Sequence, residues 1–310
     1  MTVLMLALKI LIFIGIGWFA RKIKVMQDGF DKQLTKFLMA VPLPCMIINS
    51  FRLSFSMDQL ISCPMLLALS VGALAVCFVI GQIVNMMMGR NGLGKSARFA
   101  LMFTNFTFFG FAVVAELYGN EGSFYYVIFT LLIRVAFYGG APVLIGSSNE
   151  RPDLKTAGKQ LISPPVVAVF IGLILYVTQL ELPDVISSVL TTVGNMCSPL
   201  GLMLCGVIIA DANLNGIVKY PCVFWLTALR LLVVPAVMLG LFLLLGISKD
   251  IIRPLIFYFA MPVASFLPMF FLRYNPDDVD ARSMSGFLVV CSTICSVVTI
   301  PLWAMILDKI

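Results

Sequence analysis

The sequence predicts an all-α polytopic membrane protein with ten transmembrane helices in two inverted five-helix repeats. Three observations lead to this fold class: an apolar composition, apolar runs of membrane-spanning length, and helix-breaking residues that recur at matched places in the two halves. Of the 310 residues, 61% are hydrophobic and 12% are charged, with a mean hydropathy of +1.04. Because a water-soluble domain has about 25% charged residues, soluble enzymes and nucleic-acid-binding proteins are excluded as classes.

The apolar runs have the length of membrane helices. A helix needs about 20 residues to cross roughly 30 Å of hydrocarbon, whereas an outer-membrane barrel shows alternating segments of about ten residues. The first run ends in GWFARKIK without a small-residue cleavage site, so we interpret it as a retained helix rather than a signal peptide. The predicted spans are 2–20, 34–51, 60–88, 99–118, 122–146, 161–178, 185–210, 219–246, 250–272 and 283–307.

Lys and Arg residues are distributed unevenly between alternate loops. One set of loops holds thirteen of them, and the other set holds four: Arg52, Lys249, Arg253 and Lys309. Because cytoplasmic loops of membrane proteins are enriched in basic residues, we expect the first set to be cytoplasmic. The sequence therefore predicts a multi-pass protein of the plasma membrane with both termini extracytoplasmic. The net charge of +6 then reflects orientation in the lipid bilayer and indicates no nucleic-acid partner.

A polar linker divides the chain into halves of similar length. Residues 1–146 form the first predicted repeat, residues 147–160 (SSNERPDLKTAGKQ) a cytoplasmic linker, and residues 161–310 the second repeat. An odd number of spans in each half places the halves in opposite membrane orientations. Such inverted repeats are common in secondary transporters, which hold their substrate near the bilayer midplane.

Helix-breaking or polar residues recur at matched distances in the two halves. Asn105, in TNFTFFGF of the fourth span, follows Pro44 by 61 residues, and Pro262, in MPVASFLP of the ninth span, follows Pro199 by 63. Backbone groups freed at membrane depth are tolerated only inside protein or beside a wet cavity. Two broken helices would aim their N-termini, each carrying roughly +0.5 charge, at a point that suits a carboxylate. The alternative is that each break is an ordinary kink.

Two arginines lie midway along predicted spans, Arg134 in the fifth and Arg230 in the eighth. A charge at that depth costs roughly 2.5–3.5 kcal/mol and normally faces a partner or a cavity. Each arginine is a candidate either for pairing with backbone carbonyls or an acid, or for attracting an anionic substrate. Glu116, near a span end, is a third candidate for charge or coupling. With no pair of acids at a span centre and no histidine, uniport stays open beside ion coupling.

Motifs for phosphate binding, metal binding and catalysis give no second function. Residues 89–96 (GRNGLGKS) match the P-loop pattern, but that pattern requires a preceding buried strand, so we interpret them as a basic cytoplasmic loop. The eight cysteines show no CxxC pair, and neither HExxH nor GxSxG occurs. The sequence therefore predicts no metal site, no disulfide, no cofactor and no enzymatic activity.

Two stretches resemble the auxin efflux carrier family, TNFTFFGFAVVAELYGNEGSFYYVIF and FAMPVASFLPMFFLRYNPDDVDARSMSGFLVVCSTICSVVTIPLW. The resemblance covers nearly the whole chain, and bacterial members of the family include proposed malonate and malate carriers. It implies ten helices in two inverted repeats, similar to sodium/proton antiporters and bile acid symporters, and a homodimer in the bacterial inner membrane. It also implies that broken helices 4 and 9 cross at the substrate site, where Asn105 would contact a carboxylate. The family has a proline where this chain has Ala112, so we expect the first half of the crossover to unwind less.

The leading hypothesis is a secondary carrier for a small organic anion, either a malonate- or malate-type dicarboxylate or an auxin-like acid. A bundle containing the crossover would move against a scaffold of spans 1, 2, 6 and 7, which gives alternating access. The alternatives are an anion channel or passive pore, and a sodium-coupled organic anion symporter. The candidate substrate-binding residues are Thr104, Asn105, Gly110, Pro262, Ser265, Pro44 and Pro199, and the charge or coupling candidates are Arg134, Arg230 and Glu116.

Overall fold

The computed structural model describes residues 3–27, 29–146, 158, 162–211 and 216–310. Apart from position 158, the predicted linker lies outside these residues. Within them the chain is helical and forms no strand beyond one isolated bridge. The α-helices are α1 (Val3–Lys22), α2 (Phe30–Ala40), α3 (Pro42–Ser50), α4 (Met57–Met87), α5 (Gly92–Met102), α6 (Phe111–Ile145), α7 (Pro164–Thr178), α8 (Asp184–Asn195), α9 (Cys197–Asp211), α10 (Cys222–Ala228), α11 (Val234–Leu244), α12 (Lys249–Ala260), α13 (Leu267–Tyr274) and α14 (Val279–Asp308).

Several helical stretches are long and apolar enough to cross a membrane. In the described part of the chain, length and composition select five of them: Met57–Met87, Phe106–Ile145, Asp184–Asp211, Cys222–Leu244 and Val279–Asp308. Helix Pro164–Thr178 is apolar but shorter. The protein is therefore an all-helical integral membrane protein, as its composition predicts.

The predicted second and seventh spans are each interrupted once, at corresponding places. Val41 separates α2 from α3 with φ −128° and ψ −69°, and Met196 separates α8 from α9. In each case a proline follows three residues later, Pro44 and Pro199. A proline has no N–H to bond the carbonyl four residues before it, so each helix is weakened at its preceding turn. The two interruptions are 155 residues apart, as are the two prolines.

The predicted fourth and ninth spans are also interrupted. After α5 ends, residues 103–105 leave the helix, and a π-helical turn at Phe106–Gly110 leads into α6. Likewise, α12 ends at Ala260 and α13 begins at Leu267. Ala112 lies in regular helix inside α6, so the fourth span is interrupted before that position and without a proline. The predicted boundary between the fourth and fifth spans falls at Gly119, whose φ of 59° is accessible to glycine.

Helices α1 and α9 pack with their backbones nearly in contact. A Cβ atom on Gly17 of α1 would lie 2.0 Å from the Met203 carbonyl oxygen of α9, and one on Gly206 would lie 2.0 Å from that of Ile14. Small residues at such crossings are typical of membrane helices, because they let the backbones approach closely. α7 packs on α3, and its Gly172 faces the ring of Phe51, just beyond the end of α3. The helices α4, α5, α6, α12 and α14 pack together around the interrupted segments.

Candidate functional site

The two interrupted segments cross each other and pair as a short antiparallel bridge. The backbone N–H of Asn105 donates to the Pro262 carbonyl at 2.8 Å, and the N–H of Ala264 donates to the Phe103 carbonyl at 3.3 Å. These bonds satisfy peptide groups that helix interruption would otherwise leave bare at membrane depth. We call residues 103–105 and 262–264 the crossover.

Hydroxyl groups of α6, α12 and α14 add to the hydrogen bonding around the crossover. Each one bonds a backbone group in or next to the unwound segments, which lowers the free energy of keeping the backbone unwound here. Tyr126 Oη donates to the Phe106 carbonyl at 3.1 Å, Tyr258 Oη donates to the Met102 carbonyl at 2.9 Å, and Ser292 Oγ accepts from the Val263 N–H at 3.0 Å.

The two mid-span arginines both lie next to the crossover. Arg134 Nη1 donates to Thr107 Oγ1 at 3.3 Å, and its guanidinium lies 5.2 Å from the centre of the Phe106 ring, within cation–π range. Arg230 has no exposed surface and donates to backbone carbonyls of α5 and α12. Neither arginine lines the two larger cavities described below.

A cavity of about 1070 Å³ extends from one end of the helix bundle to the crossover. At its floor Asn105 Nδ2 donates to Ser265 Oγ at 3.0 Å and lies 3.7 Å from Cys205 Sγ. One member of the amide–hydroxyl pair therefore comes from each interrupted helix. The walls are largely apolar and include Met39, Phe108, Tyr138, Leu204, Phe266 and Phe287.

Charged side chains surround the mouth of the large cavity. They come from the start of α2, the end of α9 and the start of α14. The start of α7 lines the same cavity. All of these helix ends belong to loops that the charge distribution predicts to be cytoplasmic. The charged residues are Asp31, Lys32, Lys36, Asp211 and Arg282.

A smaller cavity of about 390 Å³ lies on the other side of the crossover, between α1, α3, α6 and the α8–α9 junction. Lys9 and Glu116 line it and form an ion pair of 2.6 Å between Nζ and Oε1. Pro199 also lines this cavity. The ion pair joins α1 to the part of α6 that follows the crossover, so it bridges the two sides of the cavity.

The structure separates the predicted binding residues into three groups. Asn105 and Ser265 line the large cavity, whereas Pro199 lines the smaller one together with Glu116. The remaining residues, Thr104, Gly110, Pro262 and Pro44, contribute through the backbone. Thr104 forms the bridge with Val263, Pro262 offers its carbonyl to Asn105, Gly110 ends the π-helical turn, and Pro44 lies in the first turn of α3.

Sequence reasoning missed several residues whose contacts are made with positions far away in the chain. Tyr126 and Tyr258 sit in apolar runs and look like ordinary core aromatics. Lys9 lies in the first apolar run, where a lysine is expected to extend its amino group to the membrane surface, whereas it pairs with Glu116. A usable signal existed only for Ser292, which belongs to the Ser/Thr-rich stretch of the last span.

Interrupted membrane helices that cross beside a large cavity define an integral membrane transporter. Residues 2–304 match the membrane transport protein family, and the chain belongs to this family. The resemblance to auxin efflux carriers is thereby confirmed. An uncharacterized transporter of Methanothermobacter thermautotrophicus is 23% identical over 314 residues, which cover 97% of each chain.

Proposed function

We propose that this protein is a secondary carrier that moves a small organic anion, a carboxylate, across the plasma membrane by alternating access. The pair formed by Asn105 and Ser265 at the floor of the large cavity carries this proposal. A carboxylate has four lone-pair sites for such donors, and the amide and the hydroxyl can both turn toward it. The adjacent helix N-termini after Asn105 and before Leu267 favour negative charge at the same place.

An inverted-repeat architecture would support a carrier with a central site. We propose that the helices form ten spans, five in residues 1–146 and five in residues 161–310, joined by the linker 147–160. The matched interruptions at Val41 and Met196 support this arrangement, as do Gly17 and Gly172, which are also 155 residues apart and each lie close to a neighbouring segment. α1–α3 and α7–α9 would form the scaffold, and the other helices would form the moving bundle.

The large cavity would face the cytoplasm, with both termini of the chain outside. Its mouth is formed by helix ends that border the loops of the basic-rich set, in agreement with the positive-inside rule. A membrane-impermeant maleimide tests this on intact cells with single cysteines in a cysteine-free background. We expect position 249 to be labelled in intact cells and position 32 only after permeabilisation, whereas the reverse pattern would contradict the orientation.

Uptake of labelled carboxylates into proteoliposomes tests the function. Malonate, malate and an aromatic monocarboxylate are compared, because the apolar walls favour an organic body while the floor offers one anion-binding point. A hydrogen bond to a charged group is worth about 1.5–3 kcal/mol, so Asn105→Ala is expected to weaken affinity about 10- to 150-fold. Unchanged affinity and rate in this variant would contradict a site at the crossover.

Asn85→Ala is the matched control for Asn105→Ala. Asn85 is an equally buried asparagine, 5% exposed, but it lies on α4 outside both cavities. Its replacement is expected to change the affinity for substrate by less than about twofold.

The dependence of the transport rate on substrate concentration separates a carrier from a channel or passive pore. The rate of a carrier saturates, whereas flux through a pore keeps rising with concentration. A homodimer stays a prediction from the family resemblance.

A further inference from the structure

Two helices end at the crossover with their carbonyl groups pointing into the membrane interior. α5 ends at Met102 and α12 ends at Ala260. The last carbonyls of a helix have no partner within the helix, and its C-terminus carries roughly half a negative charge. At this depth both features require compensation, because water does not reach the backbone in the hydrocarbon core.

Arg230 provides that compensation for both helices at once. Its Nη1 donates to the Leu101 carbonyl in the last turn of α5 at 2.7 Å, and its Nη2 donates to the Tyr258 carbonyl in the last turn of α12 at 3.3 Å. The side chain is fully buried. It projects from a π-helical turn, Leu229–Val233, an irregularity that is frequent at functional sites.

In the described part of the chain, no buried carboxylate balances the charge of Arg230. Among the residues that the structure describes, the buried charged side chains are Arg134 and Arg230, and every Asp and Glu keeps exposed surface. The guanidinium is therefore balanced by the two helix ends. In other secondary transporters, carbonyls of unwound segments and half-helix C-termini coordinate the coupling sodium ion or proton. Here a side chain of the protein already bonds the carbonyls at this position.

We propose that Arg230 is the resident cation of the crossover: it supplies from within the chain the positive charge that a coupling cation would bring. The carrier then binds and moves its anion without sodium, which argues against the sodium-coupled symporter that the sequence left open. This inference rests on the proposed carrier function. Arg230 acts as a positioning residue, because it holds the two half-helices around the anion site and lines neither cavity.

The first test is independent of transport and measures the thermal unfolding midpoint of the purified protein. Sodium chloride and choline chloride at equal ionic strength are expected to give the wild-type protein the same midpoint. Arg230→Ala is expected to lower the midpoint, and millimolar guanidinium is expected to restore at least half of the loss by occupying the vacated space. Arg134→Ala is the matched control. Guanidinium should not restore the unfolding midpoint of this variant, since Arg134 bonds a side chain rather than two helix ends.

A saturable stabilisation of the wild-type protein by sodium would overturn the inference. So would equal responses of the Arg230 and Arg134 variants to guanidinium. If Arg230→Ala cannot be purified, Arg230→Lys keeps the charge without the planar two-donor geometry. It is expected to fold with a lower midpoint that sodium does not raise, and a sodium-dependent midpoint would count against the proposal.

The second test measures carboxylate uptake in sodium, potassium and choline buffers. Rates within twofold of one another are expected, and a tenfold acceleration by a sodium gradient would overturn the inference while leaving the carrier function intact. Absence of uptake of any carboxylate in every buffer would instead contradict the proposed function. The unfolding measurements would still decide whether Arg230 serves as the resident cation, so the two failures are distinguishable.

Discussion

Replacement of Gly110 by alanine tests how tightly the crossover is packed. Gly110 has helical backbone angles, φ −63° and ψ −47°, so an alanine can adopt the same conformation. Its Cβ atom, however, would lie 2.0 Å from Tyr126 Oη and 3.1 Å from Met261 Cγ. The Tyr126 hydroxyl would have to move, and it would then lose its 3.1 Å bond to the Phe106 carbonyl. The expected effect is therefore steric and is transmitted to the unwound backbone.

The magnitude follows from three terms. Overpacking a tight interior costs about 1–3 kcal/mol, and the lost Tyr126 bond costs about 0.5–1.5 kcal/mol, because the Phe106 carbonyl keeps the Phe111 N–H as a donor. Alanine recovers about 1 kcal/mol relative to glycine in a helix. Gly110→Ala should therefore destabilise the protein by about 0.5–3.5 kcal/mol. In a Tyr126→Phe background the atom at 2.0 Å is absent and the nearest ring carbon lies at 3.1 Å, so the same change should cost less than about 1 kcal/mol.

A double-mutant cycle measures this coupling through the free energy of unfolding in mixed detergent micelles. The wild-type protein, the two single variants and the double variant are expected to show a coupling of about 1–3 kcal/mol. Gly72→Ala on α4 is the control, because no atom would lie within 4 Å of the added methyl group. An equal loss of stability in both backgrounds would refute the proposed contact with Tyr126.

Three further predictions concern other parts of the structure. Gly206→Ala places a methyl group 2.0 Å from a backbone oxygen of α1. Because a backbone oxygen cannot rotate away as a side chain can, we expect a larger fall in the unfolding midpoint than for Gly110→Ala. A smaller fall would contradict the close helix contact. Tyr258→Phe removes the donor to the Met102 carbonyl and is expected to cost about 1–3 kcal/mol of unfolding free energy; a neutral result would mean that the carbonyl finds another partner. Lys9→Glu or Glu116→Lys alone should slow uptake severalfold with little change in the unfolding midpoint, because partly exposed ion pairs contribute about 0–1 kcal/mol. The double variant, which exchanges the two charges, should restore uptake. Unchanged uptake in the single variants would mean that the pair has no role in transport.

Much of the fold could be predicted from the sequence because membrane helices are set by local composition. The length of the apolar runs predicts the helices, and the interruptions around Asn105 and Pro262 fall where polar and helix-breaking residues occur. The positions of Asn105 and Ser265 beside one cavity also agree with the correspondence between the two broken spans. These features depend on residues near each other in the chain, which a periodicity or a motif can report.

The partners of the crossover could not be predicted for the opposite reason. Tyr258 and Tyr126 reach the crossover, and Lys9 reaches Glu116, through contacts that depend on how each helix is rotated about its axis. An apolar span with low amphipathicity carries little information on that rotation, because lipid and protein neighbours are both apolar. The helix rotation, and with it the role of Arg230, therefore becomes visible only in the folded structure.

The bond from Arg230 to Leu101 has a consequence for biosynthesis. The two residues are 129 positions apart, so at roughly 5–20 residues per second a ribosome needs about 6–26 s to make the second after the first. During that time no guanidinium is present to donate a hydrogen bond to the Leu101 carbonyl at the end of α5. The first half of the chain cannot complete its own central helix, and the two halves must stay within reach of each other in the membrane. Halves made as separate polypeptides are expected to accumulate only when both are produced together.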